Sequence, residues 1–225
     1  GAFEQYAGKI DLCIDHHKSN LMYAKNTCLD ADASSACELM FSVIKHLGAQ
    51  ITPLIADCLY TGIATDTGCF KYSCTTARTH MCAAELIGLG ADYAGINREM
   101  FDVKSKARIE VERAVLNDMR FFADEKIAVI TLPLALIEQT GATPGELEGI
   151  AAIPRMVKGV EIGIMLKEKS ENVYKISVRT TQYADASALC AAFGGGGHAR
   201  AAGCTVNGEK QEVIDKIIKE AKRLI

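Results

Sequence analysis

Lys9-Ile10-Asp11-Leu12-Cys13-Ile14, running directly into Asp15-His16-His17, is the stretch on which the fold turns. The first six residues read as a buried strand, and the three after them are a polar cluster at its carboxyl end. Open α/β sheets build their sites in the crevice outside the carboxyl ends of their strands. A second such end is expected downstream, where the mostly apolar residues 52–64 lead into Thr65-Asp66-Thr67-Gly68. Two polar strand ends in one parallel sheet can face the same crevice, and Gly68 permits a tight turn there. Between them, residues 34–47 read as a helix: Ser35 and Glu38 have capping-box spacing and Gly48 follows its end. Ser34 and Ser35 are read as plain caps. Thr76 to Leu89, closed by Gly90, is another predicted helix, and a charged one is expected over about Lys104 to Phe122.

Beyond that helix the texture changes. Lys126 to Leu132 is a β-branched strand stopped by Pro133, and Leu134 to Gln139 a short helix. Val160 to Lys167 and Val173 to Arg179 read as strands joined by the polar turn Glu168 to Asn172. Ala186 to Phe193 is a short helix capped by Asp185, a glycine loop comes next, and residues 209–225 form a final amphipathic helix. The alternation predicts α/β architecture: a parallel-sheet domain over residues 1–103, a linking helix over 104–123 and a smaller α/β domain over 124–225.

Bulk properties narrow the partners. With 225 residues, 49% apolar and 24% charged, the chain has the composition of an ordinary globular protein. No apolar run approaches the roughly 20 residues of a membrane span, and no secretory signal is visible at the start. The nine cysteines are odd in number and form no Cys-x-x-Cys, so a reducing cytoplasm is expected, with all nine as small buried side chains, Cys74 and Cys82 beside His80 included. A net charge of −3 argues for a small pocket over a long basic groove.

Imidazole beside carboxylate suits manganese, iron or zinc, and an aspartate next to a histidine can fix its tautomer. A strand-end cluster satisfied by solvent and helix caps is the plainer alternative; Asp66 shifts the balance toward a site. Ile14-Asp15-His16-His17-Lys18-Ser19-Asn20 resembles the signature of the DHH phosphoesterases, and Gly62-Ile63-Ala64-Thr65-Asp66-Thr67-Gly68-Cys69-Phe70 resembles their later aspartate motif. The resemblance implies two divalent metal ions, usually manganese, that activate water and neutralise phosphate. By the same resemblance His16 and Asp66 are metal ligands and Asp15 and His17 orient ligands or contact phosphate, all four being catalytic residues; the choice between His16 and His17 stays open. The family also carries an N-terminal His/Asp motif and a further Asp before the triplet. About 100 residues that would hold them, the size of a small domain, are therefore expected to precede this chain, which alone should bind metal weakly and turn over little.

Phe193-Gly194-Gly195-Gly196-Gly197-His198-Ala199-Arg200-Ala201-Ala202-Gly203 is the sharpest local feature. Glycines let backbone N–H groups approach an anion, and His198 adds a donor that can carry charge; a flexible linker is the bland alternative. The segment resembles the Gly-Gly-Gly-His motif of the DHH-associated C-terminal domain, which implies substrate binding by Gly195, Gly196, Gly197 and His198. Arg179, in Ser177-Val178-Arg179, either pairs with substrate or is a surface strand residue; Arg155 is a weaker candidate. The implied reaction is hydrolysis of short oligoribonucleotides or small nucleotides: linear pApA, 3′-phosphoadenosine 5′-phosphate (pAp) or cyclic di-AMP. A nucleotide-binding module without catalysis and a RecJ-like single-strand exonuclease are the alternatives. Short RNA or a nucleotide is the expected partner and a membrane is not. An exposed sheet edge in the first half invites self-association, giving a homodimer as a further expectation.

Overall fold

A computed structural model describes Tyr6 and residues 8–225. They fall into two compact units, Gly1–Val103 and Lys104–Ile225. The α/β expectation holds in both.

In the first unit the opening segment forms β1 (Leu12–Asp15), paired in parallel with β2 (Asn26–Leu29) so that Asp15 lies opposite Leu29. Four helices come next: α1 (Ala36–His46), α2 (Pro53–Asp66), α3 (Ala77–Gly88) and α4 (Tyr93–Asn97), the last running into a π-helical turn over Arg98–Asp102. The second strand end expected before Asp66 is wrong. Residues 53–66 are helical because Thr52 caps them, its Oγ1 accepting from the Ile55 N–H at 3.4 Å, and Pro53 stands at the first helical position. The buried residues of α2 are Ala56, Leu59, Tyr60, Ile63 and Ala64, the 3.6-residue spacing of one helix face. They meet Phe41, Cys82 and Leu86 in the core of this unit. The parallel sheet is accordingly reduced to the β1–β2 pair among the described residues.

Ser35 caps α1 as expected, accepting from the Glu38 N–H at 3.1 Å. The Glu38 carboxylate does not return to the cap, as a capping box would have it. Fully buried, it accepts from the Ser34 N–H at 3.1 Å, the Ser34 hydroxyl, Thr79 Oγ1 at 3.0 Å and Arg78 Nε. Arg78 also reaches Asp30 Oδ2 at 2.8 Å, which ties α1, α3 and the turn after β2 together.

The second unit is, in this chain, the larger of the two. The span expected as a linking helix over 104–123 is instead α5 (Lys106–Asn117) and strand β3 (Arg120–Phe122), both inside this unit. Val111 and Val115 of α5 are fully buried, and that contact anchors the helix. Strands β4 (Ile127–Leu132), β5 (Ile162–Ser170) and β6 (Val173–Thr180) come after it, with α6 (Leu134–Thr140) and a run of 3-10 turns between β4 and β5. The chain closes with α7 (Ala186–Ala191), β7 (Gly196–His198), β8 (Ala201–Asn207) and α8 (Lys210–Ala221). The six strands form one sheet in the order β3-β4-β5-β6-β8-β7, and only β4–β5 is parallel.

The two faces of this sheet are covered unequally. On one, Ile127, Val129, Ile162, Ile164, Ile176, Val178 and Cys204 pack against α7 and α8 in a continuous core. On the other, Ile130, Leu132 and Met165 pack under α5, α6 and the 3-10 turns, a cover that lies over β4 and β5 and touches β6 through the turn Ile150–Ala152. Burying each such aliphatic side chain is worth about 1.5–3 kcal/mol, so the roofed half is held firmly. The unroofed half, over β6 and β8, is where the second unit has surface to offer.

Glu38 gives a testable consequence. Burial alone would raise its pKa, but the bonds from Ser34 and Arg78 outweigh it and hold the carboxyl below its ordinary value. A depressed carboxyl contributes its stability above the unfolded pKa, about 4.3, and loses it as pH falls through the folded value. Glu38→Gln should therefore cost about 1–3 kcal/mol at pH 7 and far less once the pH has fallen below the depressed folded pKa, measured by urea unfolding. An equal cost at both pH values would show that the charge on Glu38 contributes nothing.

Candidate active site

β1 delivers its last residue, Asp15, to the edge of the first unit, and the chain turns there because the Asp15 carboxylate binds the residues just after it. Its Oδ1 accepts from the His16 N–H at 2.7 Å, the His17 N–H at 3.1 Å and His17 Nδ1 at 2.7 Å. Its Oδ2 accepts from the Asn20 amide at 2.5 Å. These donors, Asn20 first and then His17, hold the carboxyl far below the usual carboxylate range. Both oxygens are thus engaged by donors of the turn that follows β1.

The two histidines part ways. His16 Nδ1 lies 3.3 Å from the Ala33 carbonyl oxygen. A carbonyl can only accept, so Nδ1 carries a proton and Nε2 is the ring nitrogen left to face outward. Nε2 faces Asp66 Oδ2 at 3.6 Å. His17, two-thirds exposed, has its Nδ1 tied to Asp15, with its ring centroid 4.4 Å from that of His16. Asp66 reaches this position as the final residue of α2, and the chain leaves it through a left-handed turn: Gly68, Cys69 and Phe70 have φ of 56°, 57° and 61°. Two consecutive non-glycine residues in that region are costly, and such strain gathers at functional positions. A Cβ at Gly68 would also press on the ring of Tyr72, an exposed side chain that can swing away.

A divalent ion fits this arrangement. A histidine whose Nδ1–H is held by a backbone carbonyl while Nε2 points outward is the common arrangement of a metal-ligating histidine. A separation of 3.6 Å suits two ligand atoms that share one ion at bonds of about 2.0–2.2 Å. The ligand atoms of Asp15, His16 and His17 lie within 4.8 Å of one another. Nearby, His80 stacks on Phe70 at 5.2 Å and Cys74 Sγ contacts the Asp66 carbonyl, so these two are occupied in packing around the turn.

In the second unit the open half of the sheet carries a groove of about 620 Å³ lined by Lys175, Ser177, Arg179, Gly194–Gly196 and Ala201–Thr205. The glycine run is not a loose loop, as its composition suggests. Gly196–His198 pair with β8 as an edge strand, Gly197 opposite Ala202. Glycine is needed for close approach: a Cβ at Gly195 would lie 2.3 Å from the Gly203 carbonyl oxygen. Arg179 projects into the groove from β6, its Nη1 donating to its neighbour's carbonyl, Val178 O, at 2.9 Å. His198 is exposed at the end of β7, outside the groove lining, and Arg155 lies outside it too.

Arg200, two residues beyond His198, has a different task. Its guanidinium donates to the Ala184 carbonyl at 3.0 Å and to the Gln182 carbonyl. The buried Glu161 carboxylate accepts from the N–H groups of Gln182, Tyr183 and Ala184 at 2.8–3.1 Å. Burial would raise the Glu161 pKa, but those backbone bonds, Ala184 and Tyr183 foremost, hold it below the ordinary value. Together the two residues clamp the turn that leads through α7 into the glycines. Lys175 and Ser177 were not singled out from sequence, although they alternate with apolar residues in step with Arg179.

Residues 124–225 match the DHHA1 domain. Over 211 residues the chain is 31% identical to the bifunctional oligoribonuclease and PAP phosphatase NrnA of Thermus thermophilus, covering 93% of this chain and 63% of that protein. It is 25% identical to the protein of the same name from Bacillus subtilis, covering 94% and 66%. Among solved structures, an exopolyphosphatase-related protein from Bacteroides fragilis superposes with a TM-score of 0.82 at 29% identity, over 95% of this chain and 64% of that one. A pGpG-specific phosphodiesterase from Vibrio cholerae shares the fold, with a TM-score of 0.56 at 14% identity, over 98% and 88%. The chain thus spans a little under two thirds of the length of the Thermus and Bacteroides proteins to which it is similar.

The different settings of the two histidines can be checked by titrating the chain with manganese and reading the free ion by electron paramagnetic resonance. His16→Gln and Asp66→Asn should each weaken binding at least about tenfold, the least expected on losing a ligand when outer partners already cost that much. His17→Gln should weaken it less; the opposite order would exchange the roles of the two imidazoles.

Proposed function

We propose, since residues 124–225 match the DHHA1 domain and the chain is similar to NrnA proteins over most of its length, that it belongs with the DHH phosphoesterases and serves metal-dependent hydrolysis of phosphoester bonds in short oligoribonucleotides or small nucleotides. The observation that carries this reading is His16 Nε2, freed by the Ala33 carbonyl and aimed at Asp66 Oδ2. Relatives named as oligoribonucleases and PAP phosphatases support short RNA and pAp as the substrates, and linear pApA is the shortest such RNA.

In this reading His16 and Asp66 hold a divalent ion, manganese being our choice. When bound, such an ion supplies positive charge against phosphate and activates water for attack at phosphorus. Asp15 keeps His17 turned by accepting from its Nδ1, which leaves the exposed far edge of that ring to meet a phosphate oxygen. Arg179 offers the nucleotide a planar cation that can pair with phosphate or stack on a base. Gly195 and Gly196 let the substrate approach the backbone, with Gly197 and His198 continuing the same edge strand.

One observation favours a second reading, that of a nucleotide-binding module. Among the described residues Asp15, His16 and His17 are the one group of three or more such side chains placed to share an ion. With the Asp15 oxygens already engaged, this chain's own donors suffice for one ion more readily than for two.

Assay of the chain with manganese against pApA, a five-residue RNA and pAp separates the two. Slow turnover that His16→Ala abolishes, with KM raised about tenfold by Arg179→Gln (the scale of one charge-assisted contact, about 1.4 kcal/mol), is the expected result. Arg179-dependent binding without turnover would favour the binding module. Neither binding nor turnover would overturn both.

A further inference from the structure

The open half of the second sheet carries more charge than Arg179 alone accounts for. Lys175 lines the groove four residues before Arg179 on β6, on the same face, with Ser177 between them. A strand rise of about 3.3 Å per residue places the two Cα atoms roughly 13 Å apart. Directly across from Lys175 stands Lys167 of β5 on one side and Thr205 of β8 on the other. Paired residues on neighbouring strands have Cβ atoms about 4.5–5.5 Å apart, and like charges so placed are destabilising.

Nothing in the fold neutralises this pair. Neither lysine has an ion-pair partner among the described residues. No carboxylate lines the groove. Glu168, the nearest acid in sequence, is occupied with the Leu134 N–H at 3.0 Å. Lys167 is half-buried and is pulled below the ordinary lysine range, first by burial and then by the ammonium groups of Lys169 and Lys175. Lysines held together at a cost, with a hydroxyl opposite and small residues beside them, form a place for an anion that the fold itself does not provide.

We infer that Lys175 and Lys167, with the Thr205 hydroxyl, form a second phosphate subsite at the end of the groove away from Arg179, occupied only by oligonucleotides longer than a dinucleotide. The inference deepens the proposed function and rests on it. A stacked strand advances about 3.4 Å per nucleotide, so roughly 13 Å from Arg179 lies several nucleotides along the chain. pAp and pApA carry fewer phosphates than a longer chain has to spread along that distance. The subsite therefore favours short RNA over the small nucleotides.

The test is calorimetric titration of the whole chain in excess chelator, so that nothing is cleaved, with pApA and with a five-residue oligoadenylate. Lys175→Gln should raise the Kd of the pentamer about five- to tenfold and flatten its salt dependence by about 0.7 in log–log slope, the value for one phosphate on a single strand. It should weaken pApA much less than the pentamer. Lys175→Arg should restore the pentamer, and Lys167→Gln should reproduce the loss. An unchanged pentamer Kd, or an equal loss for both ligands, overturns the subsite while Arg179-dependent binding of pApA keeps the underlying reading alive. If the unaltered chain binds neither ligand, the reading of the groove falls and the subsite with it.

Discussion

An ionised carboxylate shut away from water must have its charge met by hydrogen bonds, and each unit of this protein is organised around one that is. In the first, Glu38 is fully buried and gathers Ser34, Thr79 and Arg78. The consequence reaches the site by connected steps. Arg78 binds Asp30; the Asp30 carbonyl accepts from the Ala33 N–H; and the Ala33 carbonyl accepts from His16 Nδ1–H. The imidazole thus takes its tautomer from a turn pinned by a charge it never touches. Removing one partner of such a set leaves the others buried without compensation, which costs more than the bonds are worth singly.

The second unit meets the same constraint by other means. Glu161 draws in the backbone of Gln182, Tyr183 and Ala184, and Arg200 takes up the carbonyls of the same turn. A turn with both its donors and its acceptors satisfied holds α7 in place, and α7 hands the chain to Gly194–Gly197. Those glycines then lie flat against β8 because no Cβ intervenes. Their backbone freedom is used for contact between strands of the sheet more than for flexibility.

Charge is distributed unevenly over the molecule, and the unevenness follows the cover of the sheet. Where α5, α6 and the 3-10 turns roof the sheet, its side chains are aliphatic. Where the roof stops, the same face presents Lys175, Ser177 and Arg179. A net charge of −3 for the whole chain conceals this local excess of cations, because a sum over 225 residues says nothing about which of them share a face.

Much of this was legible in the residues themselves. Alternation of period two marks β6; Ser35, Thr76 and Asp185 cap the helices they precede; and Asp15-His16-His17 has the donor chemistry of a metal site. These properties depend on residues a few positions apart, where backbone geometry leaves few choices. The helical spacing of 56, 59, 60, 63 and 64 was equally local, and reading it as a strand end let overall apolarity outweigh period. Tertiary structure alone decided the rest: that His16 and not His17 faces Asp66, that Arg179 lines the groove while Arg200 braces a turn, and that Lys167 stands beside Lys175. Each depends on a partner far away along the chain, such as Asp66, fifty positions beyond His16, and no local pattern encodes which distant group will complete a hydrogen bond or leave a charge unmatched.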